Sequence, residues 1–256
     1  MDKRVMIVAG VVLALAAGAA ALVLSGVRPP PSAAAQEEAQ ALYDQAQSAS
    51  EAGDRAGAIA ALDQAIDRAA RADALRLRAS LRIGEGDFDG AQRDLDRAIR
   101  QGDPFPEDYS QRCWLRARAG DLTRARADCD RAIEIEPLLA SAFGNRGVVG
   151  LKQNRIREAW ADFNTALRLG GSDQFVAWRV FGRGVASWSQ RQTMAAREDV
   201  DKALASNPSV AAEFAQFGLG VEMMAAFEAD AFRTATNPAR LLPLRAFQVM
   251  YPNGAH

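Results

Sequence analysis

The sequence predicts an all-α fold in which helix hairpins stack into an α-solenoid that ends in a helical cap. From about Glu37 onward the apolar residues recur with the 3.6-residue period of a helix, and strand signatures are absent. In addition, the stretch GDFDGAQRDLDRAI at 86–99 returns as GDLTRARADCDRAI at 120–133, with eight of fourteen positions identical. A helical sequence that occurs twice in one chain indicates a repeat architecture.

Two series of alanines define five copies of the repeated unit. The first alanines lie 33, 34, 34 and 37 residues apart, and a second alanine follows each of them by seven residues. The two series are Ala58, Ala91, Ala125, Ala159 and Ala196, and then Ala65, Ala98, Ala132, Ala166 and Ala203. Antiparallel helices approach closely only where side chains are small, so these positions predict the helix contact inside each hairpin.

Gly-Asp pairs mark the turn inside three of the units. They occur at 53–54, 86–87 and 120–121, where glycine ends the first helix and aspartate begins the second. One hairpin is too thin to bury its own apolar face, so neighbouring hairpins must stack. The five units occupy 39–208, and 209–256 follow as a capping helix and tail, with one helix expected from Ser209 to about Arg233.

This pattern resembles the tetratricopeptide repeat (TPR) family, whose units are helix–turn–helix hairpins of about 34 residues. The resemblance covers about Ala39 to Pro208 and implies a right-handed solenoid that binds protein partners along a concave surface lined by first helices. Some relatives hold C-terminal carboxylates there with a clamp of Lys, Asn and Arg. The corresponding positions carry other residues and lack the clamp: Tyr43, Gln47, Arg76, Ser80, Ser110 and Trp114.

The expected inner face becomes apolar toward the C-terminus and forms the candidate partner-binding groove. Its residues are Arg76, Trp114, Val148, Leu151, Trp178, Phe181 and Trp188. One interpretation is a groove for an apolar peptide or helix of a partner protein. The other is that the chain's own C-terminal segment covers this surface.

Two further series, of charged residues, predict contacts that stabilise each hairpin. Arginines recur on the first helices at Arg78, Arg112, Arg146 and Arg183, and aspartates recur on the second helices at Asp94, Asp128, Asp162 and Asp199. Counted outward from the turn, the two positions fall at about the same height. The pattern predicts an ion pair inside each repeat, and the alternative is a solvated charge pattern copied by duplication.

The only two cysteines, Cys113 and Cys129, also lie at matching heights of the third hairpin. In an oxidising compartment they would form a disulfide. The alternative is that both are small buried residues with free thiols, which is the usual state of an unpaired cysteine. The sequence leaves both interpretations open.

The N-terminus carries an uncharged stretch of 23 residues, Val5 to Val27, which is long enough to cross a membrane. We expect 1–28 to be a transmembrane anchor, followed by a Pro/Ala linker at 29–38, with the repeats facing the bacterial periplasm because basic residues precede the span. The alternative is a signal peptide cleaved before Gln36, which would release the protein into the periplasm.

The composition argues against catalysis. The single histidine is His256, so the usual general base and the usual metal ligand are missing from the body. We therefore expect no catalytic residue, cofactor or metal site. A net charge of −1 without long runs of one sign also disfavours nucleic-acid binding.

The expected function is a non-enzymatic protein–protein interaction scaffold of the bacterial cell envelope, bound to the inner membrane and capable of self-association. The alternative is a periplasmic assembly chaperone that shields apolar segments of its clients.

Overall fold

The computed structural model describes residues 30–102, 105–170 and 173–234. Within these ranges the chain forms twelve helices and no strand. No helix of this part is both long and apolar enough to span a membrane. The anchor expected at Val5 to Val27 and the tail after Thr234 lie outside the described residues, so both stay predictions.

The helices follow one another along the chain in the order that the predicted hairpins require. They are α1 (Ala33–Glu51), α2 (Arg55–Arg68), α3 (Ala72–Glu85), α4 (Phe88–Arg100), α5 (Pro106–Arg118), α6 (Leu122–Ile135), α7 (Ala140–Lys152), α8 (Ile156–Leu169), α9 (Asp173–Ser189), α10 (Thr193–Ser206), α11 (Val210–Ala215) and α12 (Val221–Thr234). The chain divides into two compact units, the first ending at Leu81 and the second beginning at Arg82.

The expected C-terminal helix is two helices rather than one. The prediction of a single helix from Ser209 to about Arg233 is wrong, because α11 ends after six residues and α12 begins only at Val221. Gly218 and Gly220 lie between them with φ angles of 70° and 79°, a region that favours glycine and that a helix cannot contain. The helical spacing of the apolar residues Phe214, Phe217, Val221 and Met224 indicated a continuous helix, and the two glycines interrupt it.

The Gly-Asp turns are present where the sequence places them. Gly53, Gly86 and Gly120 have φ angles of 81°, 82° and 84°. The aspartate that follows each glycine caps the next helix, and its carboxylate accepts a hydrogen bond from a backbone N–H three residues later. In the fourth and fifth hairpins, Asn154 and Arg191 take the left-handed position instead.

The repeated small residues lie where paired helices touch. Ala125 and Ala132 of α6 are fully buried, as are the matching alanines of α8. Larger side chains fill the space that glycines leave open. The ring of Phe163 packs between Gly147 and Gly182, and a Cβ added at Gly147 would lie 2.9 Å from its ring.

Replacing Ala132 by leucine is expected to lower the free energy of unfolding by about 1–3 kcal/mol, because added methylenes overpack a closed contact. Ala127 lies on the same helix but is exposed, so Ala127→Leu is the matched control and should change stability by less than about 0.5 kcal/mol. Denaturant unfolding measures both. Equal shifts would contradict the placement of Ala132 in the helix contact.

Three of the predicted ion pairs lie within the second unit and are bidentate. Arg112 donates from Nε and Nη2 to the two carboxylate oxygens of Asp128, at 2.9 and 2.7 Å. The same geometry joins Arg146 to Asp162 and Arg183 to Asp199. The remaining predicted pair, Arg78 with Asp94, has one residue in each unit and stays a prediction.

Each of these arginines also contacts the preceding hairpin, which the sequence interpretation missed. Nη1 of Arg112, Arg146 and Arg183 donates to a side-chain oxygen on the second helix before it, at 2.7, 2.8 and 3.0 Å. The acceptors are Asp96, Asp130 and Asn164. Hydrogen bonds to Asp162 and Asp130 raise the pKa of the Arg146 guanidinium. One side chain therefore joins the helices of a hairpin and fastens that hairpin to its neighbour.

Candidate functional site

Six of the seven candidate groove residues lie together in the second unit, on the first helices of the third, fourth and fifth hairpins. They are Trp114 on α5, Val148 and Leu151 on α7, and Trp178, Phe181 and Trp188 on α9. These six are called the aromatic groove below. They belong to one apolar cluster, in which the three tryptophans are partly buried and the other three residues are buried. The seventh candidate, Arg76, is partly buried on α3 in the first unit.

The aromatic groove is occupied by the C-terminal segment, defined here as Val210 to Ala229. Phe214 is fully buried, and its ring centroid lies 5.0 Å from the centroids of both Trp178 and Phe181. Such ring pairs contribute to packing beyond the area that they bury. Of the two interpretations that the sequence left open, the structure shows self-coverage.

Two further phenylalanines of the C-terminal segment make ring contacts with the groove. Phe217 packs edge-on against Trp114 with 5.7 Å between centroids, and Phe227 packs edge-on against Trp188 at 5.2 Å. The backbone also comes close, because a Cβ at Gly220 would lie 3.1 Å from the ring of Phe181. All three groove tryptophans therefore contact a phenylalanine of this segment.

Two cations lie at the α5 and α7 end of the groove. Nη1 of Arg118 donates a 2.6 Å hydrogen bond to the side-chain oxygen of Gln216, and its guanidinium lies over the ring of Phe88. Nζ of Lys152 donates to the carbonyl of Ala117 and lies 5.7 Å from the ring centroid of Phe217. Burial lowers the pKa of Lys152. Neither cation forms a salt bridge within the part of the chain that the structure describes.

The C-terminal segment also carries a polar atom that its docking leaves unsatisfied. Glu228 is buried, and its Oε1 has no hydrogen-bond partner among the described residues. Burial raises the pKa of this carboxyl group. Because a buried carboxylate without a hydrogen bond is unfavourable, Glu228 weakens the docking of α12 while it is ionised.

A disulfide joins the two helices of the third hairpin beneath the groove. The sulfur atoms of Cys113 on α5 and Cys129 on α6 lie 2.01 Å apart, and both residues are fully buried. The bonded state, rather than two free thiols, is therefore the one in the structure. Cys113 directly precedes Trp114, so the bridge fastens the helix that carries this part of the groove.

Removing the disulfide by the double substitution Cys113→Ala and Cys129→Ala is expected to lower the free energy of unfolding by about 3 kcal/mol. The bond closes a loop of 16 residues, which restricts the unfolded chain. The measurement is denaturant unfolding of the variant beside the parent chain, each with and without a reducing agent. The reductant should destabilise only the parent chain, and an equal response of both proteins would contradict the bridge.

The site offers packing surface and hydrogen bonds. In the ranges described, no group of three or more His, Cys, Asp or Glu side chains is placed to hold a metal ion. The arrangement packs an apolar segment of the chain itself through ring contacts with Phe214, Phe217 and Phe227.

Solved structures of TPR proteins share this fold. MamA from Desulfovibrio magneticus RS-1 has a TM-score of 0.57 at 13% identity, covering 67% of this chain and 96% of that one. PilF from Pseudomonas aeruginosa has a TM-score of 0.55 at 16% identity, covering 85% and 99%. YrrB, described as a TPR protein with an unusual peptide-binding site, has a TM-score of 0.52 at 17% identity, covering 68% and 90%.

No protein-family model and no curated protein matches the chain. The likeness to the solved structures establishes a TPR fold, and at these identities it establishes the fold alone.

Proposed function

We propose that this protein is a non-enzymatic interaction scaffold that binds an apolar helical segment of a partner protein on the aromatic groove. The observation that carries the proposal is the packing of Phe214 against Trp178 and Phe181. The contact supports the proposal because a helix of the chain itself, α11, packs an aromatic ring against two aromatic residues of α9. Binding an amphipathic helix in an apolar groove is a recurring mode of protein recognition.

Site-specific photo-crosslinking in the full-length protein tests this proposal. A photoreactive side chain in place of Trp188 is expected to capture one protein partner in a defined ratio. The same side chain in place of Trp160 is the matched control, because Trp160 is 40% exposed on α8 and makes no part of the groove. Capture from position 160 alone, or from neither position, would overturn the assignment of the groove.

The protein is further proposed to act in the bacterial cell envelope, with the repeats facing the periplasm. The uncharged stretch from Val5 to Val27 supports an anchor, and the disulfide between Cys113 and Cys129 is typical of an oxidising compartment. The protein should remain with membranes after a carbonate wash and be cut by protease added from outside. A mature N-terminus at Gln36 would instead establish the cleaved signal peptide.

A second candidate function is an assembly chaperone that shields apolar segments of exported clients. The ring contacts favour this function, because binding through them depends on few polar interactions. A surface of this kind would accept more than one sequence. An aggregation assay with several unrelated clients separates the two functions. A chaperone protects most of them, whereas a scaffold protects none and retains one stoichiometric partner.

A further inference from the structure

We propose that the C-terminal segment is a replaceable occupant of the aromatic groove, and that the partner replacing it is an amphipathic helix with two aromatic residues three positions apart and an acidic residue directly before the second. This inference rests on the proposed function as a scaffold. In the chain's own segment the corresponding residues are Phe214, Gln216 and Phe217.

The preference for an acidic residue is inferred from the two cations at the end of the groove. Among the residues that the structure describes, the hydrogen-bond and ring partners of Arg118 and Lys152 are a carboxamide, a backbone carbonyl and aromatic rings. A carboxylate in place of Gln216 would accept the same hydrogen bond from Arg118 with charge assistance, which makes such bonds stronger than neutral ones. The groove is therefore complementary to a ligand more acidic than the segment that now fills it.

Although it is well buried, the C-terminal segment also carries two features that weaken its docking on the groove. Helix α11 has only six residues, and the positive φ angles of Gly218 and Gly220 prevent it from continuing into α12. Glu228 adds a buried oxygen without a hydrogen-bond partner among the described residues. A continuous partner helix would have neither the interruption at the two glycines nor a buried carboxylate without a hydrogen bond.

Covalent attachment to the rest of the chain explains how the C-terminal segment keeps the groove filled despite these features. A covalently attached ligand acts at an effective concentration in the millimolar range when its linker is short. Only Asn207, Pro208 and Ser209 separate α10 from α11, so the segment stays near the groove at all times. A free helix must therefore bind more tightly per contact in order to replace it.

The test uses two synthetic peptides that copy residues 209–229, one with the native glutamine at position 216 and one with glutamate. Each is labelled and titrated by fluorescence anisotropy into the full-length chain and into the double variant Phe214→Ala, Phe217→Ala. We expect both peptides to bind the double variant at least roughly tenfold more tightly than the parent, because its own segment no longer competes well. A peptide with both phenylalanines replaced by alanine is the control and should not bind.

The glutamate peptide should bind about two- to fivefold more tightly than the glutamine peptide, as expected for one partly exposed charge pair. This preference should vanish in Arg118→Gln. Equal binding of the two peptides to the parent, or equal binding of a peptide to parent and double variant, would overturn the proposal. A dimer of the double variant that excess peptide does not dissociate would overturn it too, since the occupant would then be a second copy.

If the double variant does not fold, Gln216→Glu in the full-length chain decides the question. This change strengthens the chain's own segment, so the labelled peptide should bind about two- to fivefold more weakly than to the parent. Unchanged peptide affinity would overturn the proposal. Crosslinking from position 188 without any peptide binding would retain the scaffold function and reject only the replaceable segment.

Discussion

Ending the chain after Pro208 is expected to shift the tryptophan emission to longer wavelength, raise the binding of hydrophobic dyes and cause self-association. Three of the four tryptophans lie in the aromatic groove and contact phenylalanines that this truncation removes. An open apolar patch of this size is seldom left exposed on a monomer. Circular dichroism should still show the helices of the hairpins, because their paired contacts remain.

The matched control ends the chain after Thr234 and keeps both α11 and α12. It retains every ring contact of the C-terminal segment, so its emission and dye binding should equal those of the full-length protein. If truncation after Pro208 leaves a soluble monomer with unchanged emission, the segment does not cover the groove in solution.

Replacing Asp128 by alanine should lower the free energy of unfolding by about 3–5 kcal/mol. Its carboxylate is buried and accepts hydrogen bonds from Arg112 at 2.7 and 2.9 Å and from Arg116 at 2.7 Å. Without it, two partly buried guanidinium groups lose the more deeply buried of the two carboxylates that they share, and Asp96 remains beside both. Urea unfolding measures the change, and a double-mutant cycle with Arg112→Ala should give a clear coupling energy.

The control is Glu134→Ala, which removes an exposed pair with Arg131 on the same helix. Both side chains of that pair are at least half exposed, so the change should cost only about 0–1 kcal/mol. Equal unfolding midpoints for the Asp128 and Glu134 variants, or a cycle without coupling, would mean that the repeated charges are solvated surface.

The sequence carried enough information for the hairpins because their contacts repeat. A small residue is needed wherever two helices touch, so the alanine series at 33- to 37-residue spacing marked positions that are buried in the second helix of each hairpin. The arginine and aspartate series located three ion pairs for the same reason. Periodic constraints of this kind can be read from one chain, since each copy serves as a comparison for the others.

Contacts that the repeats do not share were harder to predict. The second acceptors Asp96, Asp130 and Asn164 do recur at 34-residue spacing, but the change to asparagine hides the series. Asn154 and Arg191 occupy left-handed turn positions, which the sequence does not mark because neither residue is glycine. The C-terminal segment has no second copy, so its break at Gly218 and its register against the groove depend on a single set of contacts.

Hydrogen exchange of the full-length protein, with and without the glutamate peptide, tests the account most directly. In the free protein, the backbone amides of α12 between Val221 and Phe227 should be protected by docking on the groove. Saturation with the peptide should remove that protection while the amides of α7 and α9 keep theirs. Unchanged protection of α12 in the presence of bound peptide would contradict the account, as would loss of protection in all three helices together.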